Sequence, residues 1–288
     1  RASGEGYGDA LDRVIGQMIQ DHKARGELDE TPIEFHSESD RTHKGGLLYP
    51  GKITADAKGK RLFVTDTGHN RIVVTDLKGK FIEAIGNDQT GLTDGGYAQA
   101  TFERPQGTCL VDDTLFVADT ENHAIRAVDL AAKTVKTVAG TGKQSYNRNI
   151  QGPGTQVGLN SPWDLHLIPG TKRLAVAMAG PHQIWQYDIE KGVVGSWLGS
   201  GREDIIDGAP NAAAFAQPSG LATDGKHMFV ADSEVSGVRA IDLVNKSHRT
   251  HTVVGVNLFG FGDKDGKGSN VRLQHCLGLA YDEGVLYI

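Results

Sequence analysis

The strongest constraint on the fold is an internal repeat whose copies begin 53, 59, 54 and 58 residues apart. Each copy is marked by a short apolar run rich in residues that favour β-strands. The runs are Leu62-Phe63-Val64, Leu115-Phe116-Val117, Leu174-Ala175-Val176, Met228-Phe229-Val230 and Leu286-Tyr287-Ile288. Four short strands at a fixed period of this length are typical of the blades of a β-propeller.

Residues 105–142 show the unit most clearly. Four strand-like runs at 108–111, 115–118, 125–128 and 135–139 are separated by Asp, Asn, Thr and Gly. Such a sheet is too small to bury a core alone, so neighbouring copies have to pack face to face. The sequence therefore predicts an all-β fold with four complete blades and part of a fifth.

Three further positions recur in every complete copy. An acid ends the third strand at Asp76, Asp129, Asp188 and Asp242, and a glycine ends the fourth at Gly86, Gly140, Gly199 and Gly255. Before each first strand an apolar residue is followed three places later by an anchor proline: Leu47/Pro50, Phe102/Pro105, Leu159/Pro162 and Phe215/Pro218. We expect the proline-anchored strand to lie innermost, and Phe102, Leu159 and Phe215 to be buried between blades.

Residues 118–126 (ADTENHAIR) and 65–72 (TDTGHNRI) resemble the NHL repeat. The segments SPWDL, MAGPHQIW, QPSGLATDG and LQHCLGLAY, which begin at residues 161, 178, 217 and 273, resemble the propeller of the NHL repeat-containing protein 2 family. The resemblance implies six blades preceded by a thioredoxin-like domain. A fold of this kind hosts many functions, so the motif indicates architecture rather than activity.

The chain before the first blade contains one predicted helix, at residues 9–25. Apolar residues recur on one face of it at helical spacing, and Gly26 is suited to end it; they are Leu11, Val14, Ile15, Met18 and Ile19. By resemblance, residues 1–30 are the last helix of the thioredoxin-like domain with a linker, and 31–288 are the propeller. Residues 34–36 are a further candidate strand, and the chain is expected to continue beyond both Arg1 and Ile288.

Composition limits the classes of partner. The net charge of −6 argues against a broad nucleic-acid surface, and no apolar run reaches the length of a membrane span. The two cysteines, Cys109 and Cys276, lie in different blades without a CxxC spacing, which predicts buried free thiols. Because no disulfide framework is indicated, we expect a cytoplasmic location.

The turns between second and third strands carry polar residues at matching places of successive blades. Side chains of Asp and Asn pin turns by accepting hydrogen bonds from nearby amides. We therefore expect structural roles for Asp66, Asn70, Asp119, Asn122 and Asp232. Asp-Gly pairs at 94–95, 207–208 and 265–266 in the long connections are predicted to form tight turns.

No catalytic motif is present. Residues 263–268 (DKDGKG) lack the bidentate Glu that a calcium loop requires, and the 11 histidines form no close metal pair. No cofactor is predicted, and whether the chain is an enzyme is left open.

Blade three departs from the pattern. Two positions after the anchor proline the other blades have Lys52 or glycine, whereas blade three has Asp164, preceded by Trp163. Its second strand ends at Met178 instead of Asp and leads to His182. We expect Trp163 and Asp164, with His182, to form a ligand site at the mouth of the central channel; the long connections 87–101, 141–158 and 200–214 are the other candidates.

The leading hypothesis is a non-catalytic binding or scaffold module for a protein or small molecule, which partners the thioredoxin-like domain of the same protein. The alternative is a lactonase- or lyase-like propeller enzyme with a metal in its channel, for which the first strands offer mainly Asp164 and His166. RNA binding requires a basic face that the composition does not supply.

Overall fold

The computed structural model describes residues 8–31 and 46–288. The chain divides into two compact units, Arg1–Lys44 and Gly45–Ile288. The candidate strand at 34–36 lies outside the described residues. The assignment of residues 1–30 to a thioredoxin-like domain stays a prediction.

The first unit contains helix α1, Gly8–Ala24, as the apolar periodicity predicted. The helix ends in a Schellman motif: Gly26 N–H donates to the Lys23 carbonyl and Glu27 N–H to the His22 carbonyl. Gly26 has a φ of 68°, a left-handed conformation that glycine adopts without a steric penalty. Within this unit the five apolar side chains of the predicted face are about half exposed.

The second unit consists of consecutive antiparallel sheets. The strands of the first two blades are β1 Ile53–Asp56, β2 Arg61–Asp66, β3 Arg71–Asp76, β4 Phe81–Ile85, β5 Gly95–Gly96, β6 Pro105–Val111, β7 Thr114–Asp119, β8 Ala124–Asp129 and β9 Thr134–Ala139. Blade three contains β10 Gln151–Pro153, β11 Pro162–Leu167, β12 Arg173–Met178, β13 Gln183–Asp188 and β14 Val193–Leu198. Blade four and the start of blade five contain β15 Pro218–Thr223, β16 His227–Asp232, β17 Gly237–Asp242, β18 Thr250–Val254, β19 Ala280–Asp282 and β20 Val285–Tyr287.

The proline-anchored strands β1, β6, β11 and β15 each lie at one edge of their sheet and contact the corresponding strand of the next blade. They are therefore innermost, as predicted. The hydrophobic core lies between sheets: Phe102 packs among residues of blades one and two, Leu159 between two and three, and Phe215 between three and four. All three side chains are fully buried, which confirms the expectation from their offset to the anchor.

The long connections cover the outer edges of the blades. Strand β5, from connection 87–101, pairs with β9, and β10, from connection 141–158, pairs with β14. Gly208, from the third connection, pairs with Thr250 in β18. Each connection thus adds to the outermost strand of the blade that follows it, which removes the open edge that would otherwise invite aggregation.

The first two Asp-Gly pairs serve this edge pairing, so the prediction of tight turns was wrong for them. Gly95 pairs with Val135 and Gly208 with Thr250, at φ values of 144° and 153°. The preceding Asp94 accepts a hydrogen bond from the Thr137 amide at 2.9 Å, which fixes the connection to the sheet.

A repeated hydrogen bond joins each blade to the next. A side chain in the turn between second and third strands accepts from the backbone N–H just before the next anchor position. Both residues of each pair have positive φ, in the left-handed region where Asn and His are enriched. The pairs are Asn70 with Arg104 at 2.9 Å, His123 with Ser161 at 3.0 Å, His182 with Gln217 at 3.2 Å and Ser236 with His275 at 3.1 Å.

Candidate functional site

The predicted structural aspartates end the second strands and are fully buried. Asp119 accepts hydrogen bonds from the Glu103 amide at 2.7 Å, the Asn122 side chain at 2.8 Å and Arg126 at 2.8 Å. Asp232 does the same with the Ala216 amide at 2.7 Å and Arg239 at 3.2 Å. The backbone donor was expected within the following turn, but it lies two residues before the anchor proline, because the start of the blade folds over the carboxylate.

Asp66 occupies the equivalent position in blade one but has different partners. Its carboxylate accepts from the Leu48 amide at 2.6 Å and from Arg71 at 2.8 Å, and it contacts His69 Nδ1 at 2.8 Å. Asn122 additionally donates to the Gly91 carbonyl at 2.7 Å and so ties connection 87–101 to the turn. These carboxylates have their hydrogen-bonding capacity used inside the scaffold.

In blades two and four, the arginine of the buried Asp–Arg pair also contacts groups other than its aspartate. Arg126 donates to the carbonyls of Thr101 and Thr93 and to Asp94, and its guanidinium lies 5.0 Å from the Phe102 ring centroid. Arg239 repeats these contacts with Ala214, Ile206, Asp207 and Phe215. Burial raises the pKa of Asp119 to about 6, and that of Asp232 likewise, yet both carboxylates stay mostly ionised at neutral pH and pair with their arginines.

Blade three replaces this ion pair by an apolar arrangement. Met178 stands at the position of Asp119, and Trp185 at that of Arg126. Both are buried, and the Trp185 indole N–H donates to Gln183, which in turn donates to the Gly199 carbonyl. Blade three thus lacks the aspartate at Met178 and also lacks, at Trp185, the arginine that would have paired with it.

The second departure of blade three forms an ion pair across the centre of the propeller. The Lys52 ammonium lies 3.0 Å from Asp164 Oδ2, and it donates to the carbonyls of Trp163 and Ser219. An ammonium has three N–H donors, so Lys52 is fully satisfied. The Asp164 carboxylate accepts from the amides of Leu165 at 3.0 Å and Leu221 at 2.8 Å. We call this pair the channel latch, because it joins blade one to blades three and four.

The latch accounts for three of the four residues that stand two places after the anchor proline in the complete blades. Lys52 and Asp164 occupy this position in blades one and three, while blades two and four have Gly107 and Gly220. A Cβ atom at Gly107 would lie 2.2 Å from Asp164 Oδ1, so a side chain there would displace the carboxylate. Sequence reasoning identified Asp164 but missed its partner, although opposite charges at one repeat position were the available signal.

The three predicted ligand-site residues do not converge. Asp164 lines the central cleft, whereas Trp163 and His182 do not. Trp163 is half-buried and contributes its carbonyl to the latch. His182 belongs to the hydrogen bond that joins blades three and four. The role of Trp163 in binding stays a prediction.

The cleft encloses about 890 Å³ and is lined by the innermost strands. Its walls are mostly small or apolar, and its only charged lining residues among those described are Lys52 and Asp164. Burial lowers the pKa of Lys52, while the attraction of Asp164 opposes that change. His166 also lines the cleft, and its Nδ1 lies 2.9 Å from the Leu167 carbonyl.

The surroundings of both cysteines disfavour the thiolate form. Both cysteines are free, Cys276 is buried and Cys109 is partly exposed at the cleft wall. Burial raises the pKa of Cys109 to about 12 and that of Cys276 to about 11. Reactive cysteines depend on the thiolate, which is scarce at neutral pH with such values.

Within residues 8–31 and 46–288, no group of three or more His, Cys, Asp and Glu side chains is arranged to hold a metal ion. This includes the loop at 263–268. In the same part of the chain no helix has the length and apolar character needed to cross a membrane.

The latch can be tested through stability. We expect Lys52→Met to lower the free energy of unfolding by about 1–3 kcal/mol, because Asp164 loses its counter-charge but keeps two backbone amide donors and some solvent exposure. The double variant Lys52→Met/Asp164→Leu should lose less stability than Lys52→Met, because it removes both charges. Chemical denaturation of the three proteins measures this, and equal losses for the single and double variants would contradict the pairing.

A family model of the NHL repeat matches residues 102–127. The chain is 39% identical over 306 residues to NHL repeat-containing protein 2 of Gallus gallus, an alignment that covers 97% of this chain and 42% of the relative. It is 40% identical over 300 residues to the chloroplastic protein SUPPRESSOR OF QUENCHING 1 of Arabidopsis thaliana, covering 99% of this chain and 28% of that protein. The chain thus spans less than half the length of either relative.

Similarity to solved structures supports the same architecture. A Bacteroides thetaiotaomicron protein of unknown function superposes with a TM-score of 0.53 at 14% identity, over 82% of this chain and 65% of that one. At this identity the match concerns the fold alone. Together, these comparisons show that the chain carries an NHL repeat, folds as an NHL-type β-propeller and is similar along nearly its whole length to NHL repeat-containing protein 2.

Proposed function

We propose that this propeller is a non-catalytic binding module that receives its ligand in the central cleft. The observation that carries the proposal is the cleft itself, about 890 Å³ with mostly small and apolar walls and a few polar groups. Clefts of a few hundred to about 1,000 Å³ with this kind of lining are the usual sites for small molecules or projecting side chains. The buried Asp–Arg pairs and the covered outer edges supply the rigid frame around it.

Two further observations favour binding over catalysis. Asp164, the carboxylate that lines the cleft, is held by Lys52 and two backbone amides, so it is poorly placed to act as a free base. The thiols have raised pKa values. As part of the proposal, any thiol chemistry belongs to a thioredoxin-like domain of the same protein, and the propeller presents the ligand or partner.

Ligand binding in the cleft is tested with a variant that fills it. Ala55 lines the cleft and is exposed, so Ala55→Trp should occupy the cleft without disturbing the core. Ala132→Trp, in the exposed turn between β8 and β9, is the matched control. A mixture of neutral, anionic and cationic naphthalene compounds is screened by saturation-transfer NMR. The proposal requires at least one compound that binds the original chain and the control but not Ala55→Trp; binding that ignores the substitution would refute it.

The assignment of thiol chemistry outside the propeller gives a second prediction. Alkylation of Cys109 and Cys276 by iodoacetamide at about pH 7.5 should be slower than that of free cysteine by roughly a hundredfold or more, because burial keeps both thiols protonated. Mass spectrometry of the native and denatured chain follows the modification. Native labelling at the rate of the denatured chain would assign a reactive thiol to the propeller.

A further inference from the structure

From the charges that line the cleft we infer the class of ligand: an uncharged, largely apolar molecule that donates one hydrogen bond to His166. This inference rests on the proposed function and specifies the chemistry of that site. It combines the channel latch, the tautomer of His166 and the composition of the walls.

The cleft offers no charge to a ligand. Lys52 and Asp164 are its only charged lining residues in the described part of the chain, and they neutralise each other at 3.0 Å. The ammonium has three acceptors, and the carboxylate accepts from two backbone amides besides Lys52, so the pair presents no net charge and at most one free acceptor site to a ligand. A charged group that enters the cleft loses its hydration without gaining a counter-charge, which is unfavourable.

The threonine hydroxyls of the cleft are used internally. The Thr54 hydroxyl lies 2.7 Å from that of Thr108 and donates to the Thr108 carbonyl at 2.8 Å. The Thr223 hydroxyl donates to the His227 carbonyl at 2.6 Å. These groups contribute shape rather than recognition, and the neighbouring walls are built from Leu110, Leu165, Leu221 and Leu279.

His166 differs from these residues because one of its nitrogens has no partner in the described part of the chain. Its Nδ1 lies 2.9 Å from the Leu167 carbonyl, and a carbonyl only accepts, so Nδ1 carries the proton. In the neutral ring Nε2 is then an acceptor. His166 is half-buried at the cleft wall, where a hydrogen bond to this acceptor can orient a bound molecule.

The inference is tested with matched naphthalene probes: 2-naphthol, its methyl ether, 2-naphthoate and 2-naphthylmethylammonium. By fluorescence titration of the full chain we expect 2-naphthol to bind at least about tenfold more tightly than the anion, the cation or the ether, the difference of one desolvated charge or one hydrogen bond. His166→Asn keeps a donor toward Leu167 and removes Nε2, so it should abolish the preference for 2-naphthol over its ether.

The channel latch provides a second test that does not depend on His166. Lys52→Met leaves the Asp164 carboxylate without its counter-charge, so the cationic probe should bind more tightly while the affinity for 2-naphthol changes little. Lys52→Met/Asp164→Leu should restore the preference for the neutral probe. If 2-naphthoate or the cation binds the unaltered chain best and is displaced in Ala55→Trp, the cleft remains a binding site and the inference about ligand class is wrong. If no probe responds to Ala55→Trp, the proposed function fails and this inference fails with it.

Discussion

Replacing Asp119 by methionine is expected to lower the free energy of unfolding by about 3–5 kcal/mol, the cost of leaving a buried charge without its partner. Arg126 is fully buried, and Asp119 is its nearest counter-charge at 2.8 Å; Asp94, its other carboxylate partner, is about half exposed. The substitution also removes the carboxylate that now accepts hydrogen bonds from both the Glu103 amide and the Asn122 side chain. Urea or guanidinium denaturation measures the loss.

Blade three supplies the matched control for this experiment. Its Met178 and Trp185 occupy the positions of Asp119 and Arg126, with Gln183 at the position of Ala124. We therefore expect the triple variant Asp119→Met/Ala124→Gln/Arg126→Trp to be more stable than Asp119→Met alone, because it replaces both members of a buried ion pair by apolar groups. A triple variant as unstable as the single one would show that the two blades solve this packing problem in ways that cannot be exchanged.

The contrast between these blades shows what the repeat could predict. Strand order, the innermost position of the proline-anchored strand and the burial of Phe102, Leu159 and Phe215 all follow from local pattern, since each copy repeats the same contacts with its neighbour. The buried aspartates were also identified, because Asp119 and Asp232 recur at one position. Their backbone donors were not, since these lie about sixteen residues earlier in the chain.

The channel latch could not be predicted from the spacing of residues along the chain alone. Lys52 and Asp164 are 112 residues apart, and their contact depends on how strongly the ring of first strands curves. Sequence comparison within the repeat placed both at the same position but left open whether opposite charges there meet. The outer edge pairing of connections 87–101, 141–158 and 200–214 was missed for a related reason: β5 and β10 are only two or three residues long and lack the pattern of a strand.

The packing between blades makes the last prediction the most direct test of the architecture. Phe215 is fully buried in the cluster shared by blades three and four, and the Arg239 guanidinium lies 5.2 Å from its ring centroid. Phe215→Ala removes most of a large side chain from a site whose walls belong to two separate sheets.

We expect Phe215→Ala to cost about 3–5 kcal/mol, because it loses the transfer free energy of the ring and leaves a cavity. The cavity should collapse only partly, because its walls belong to two separate sheets whose first strands are already in contact. Phe259→Ala is the matched control: that ring is 86% exposed, so its removal should change stability by no more than about 0.5 kcal/mol. Denaturation midpoints measure both effects, and a loss of less than about 1 kcal/mol for Phe215→Ala would be inconsistent with a core that lies between the blades.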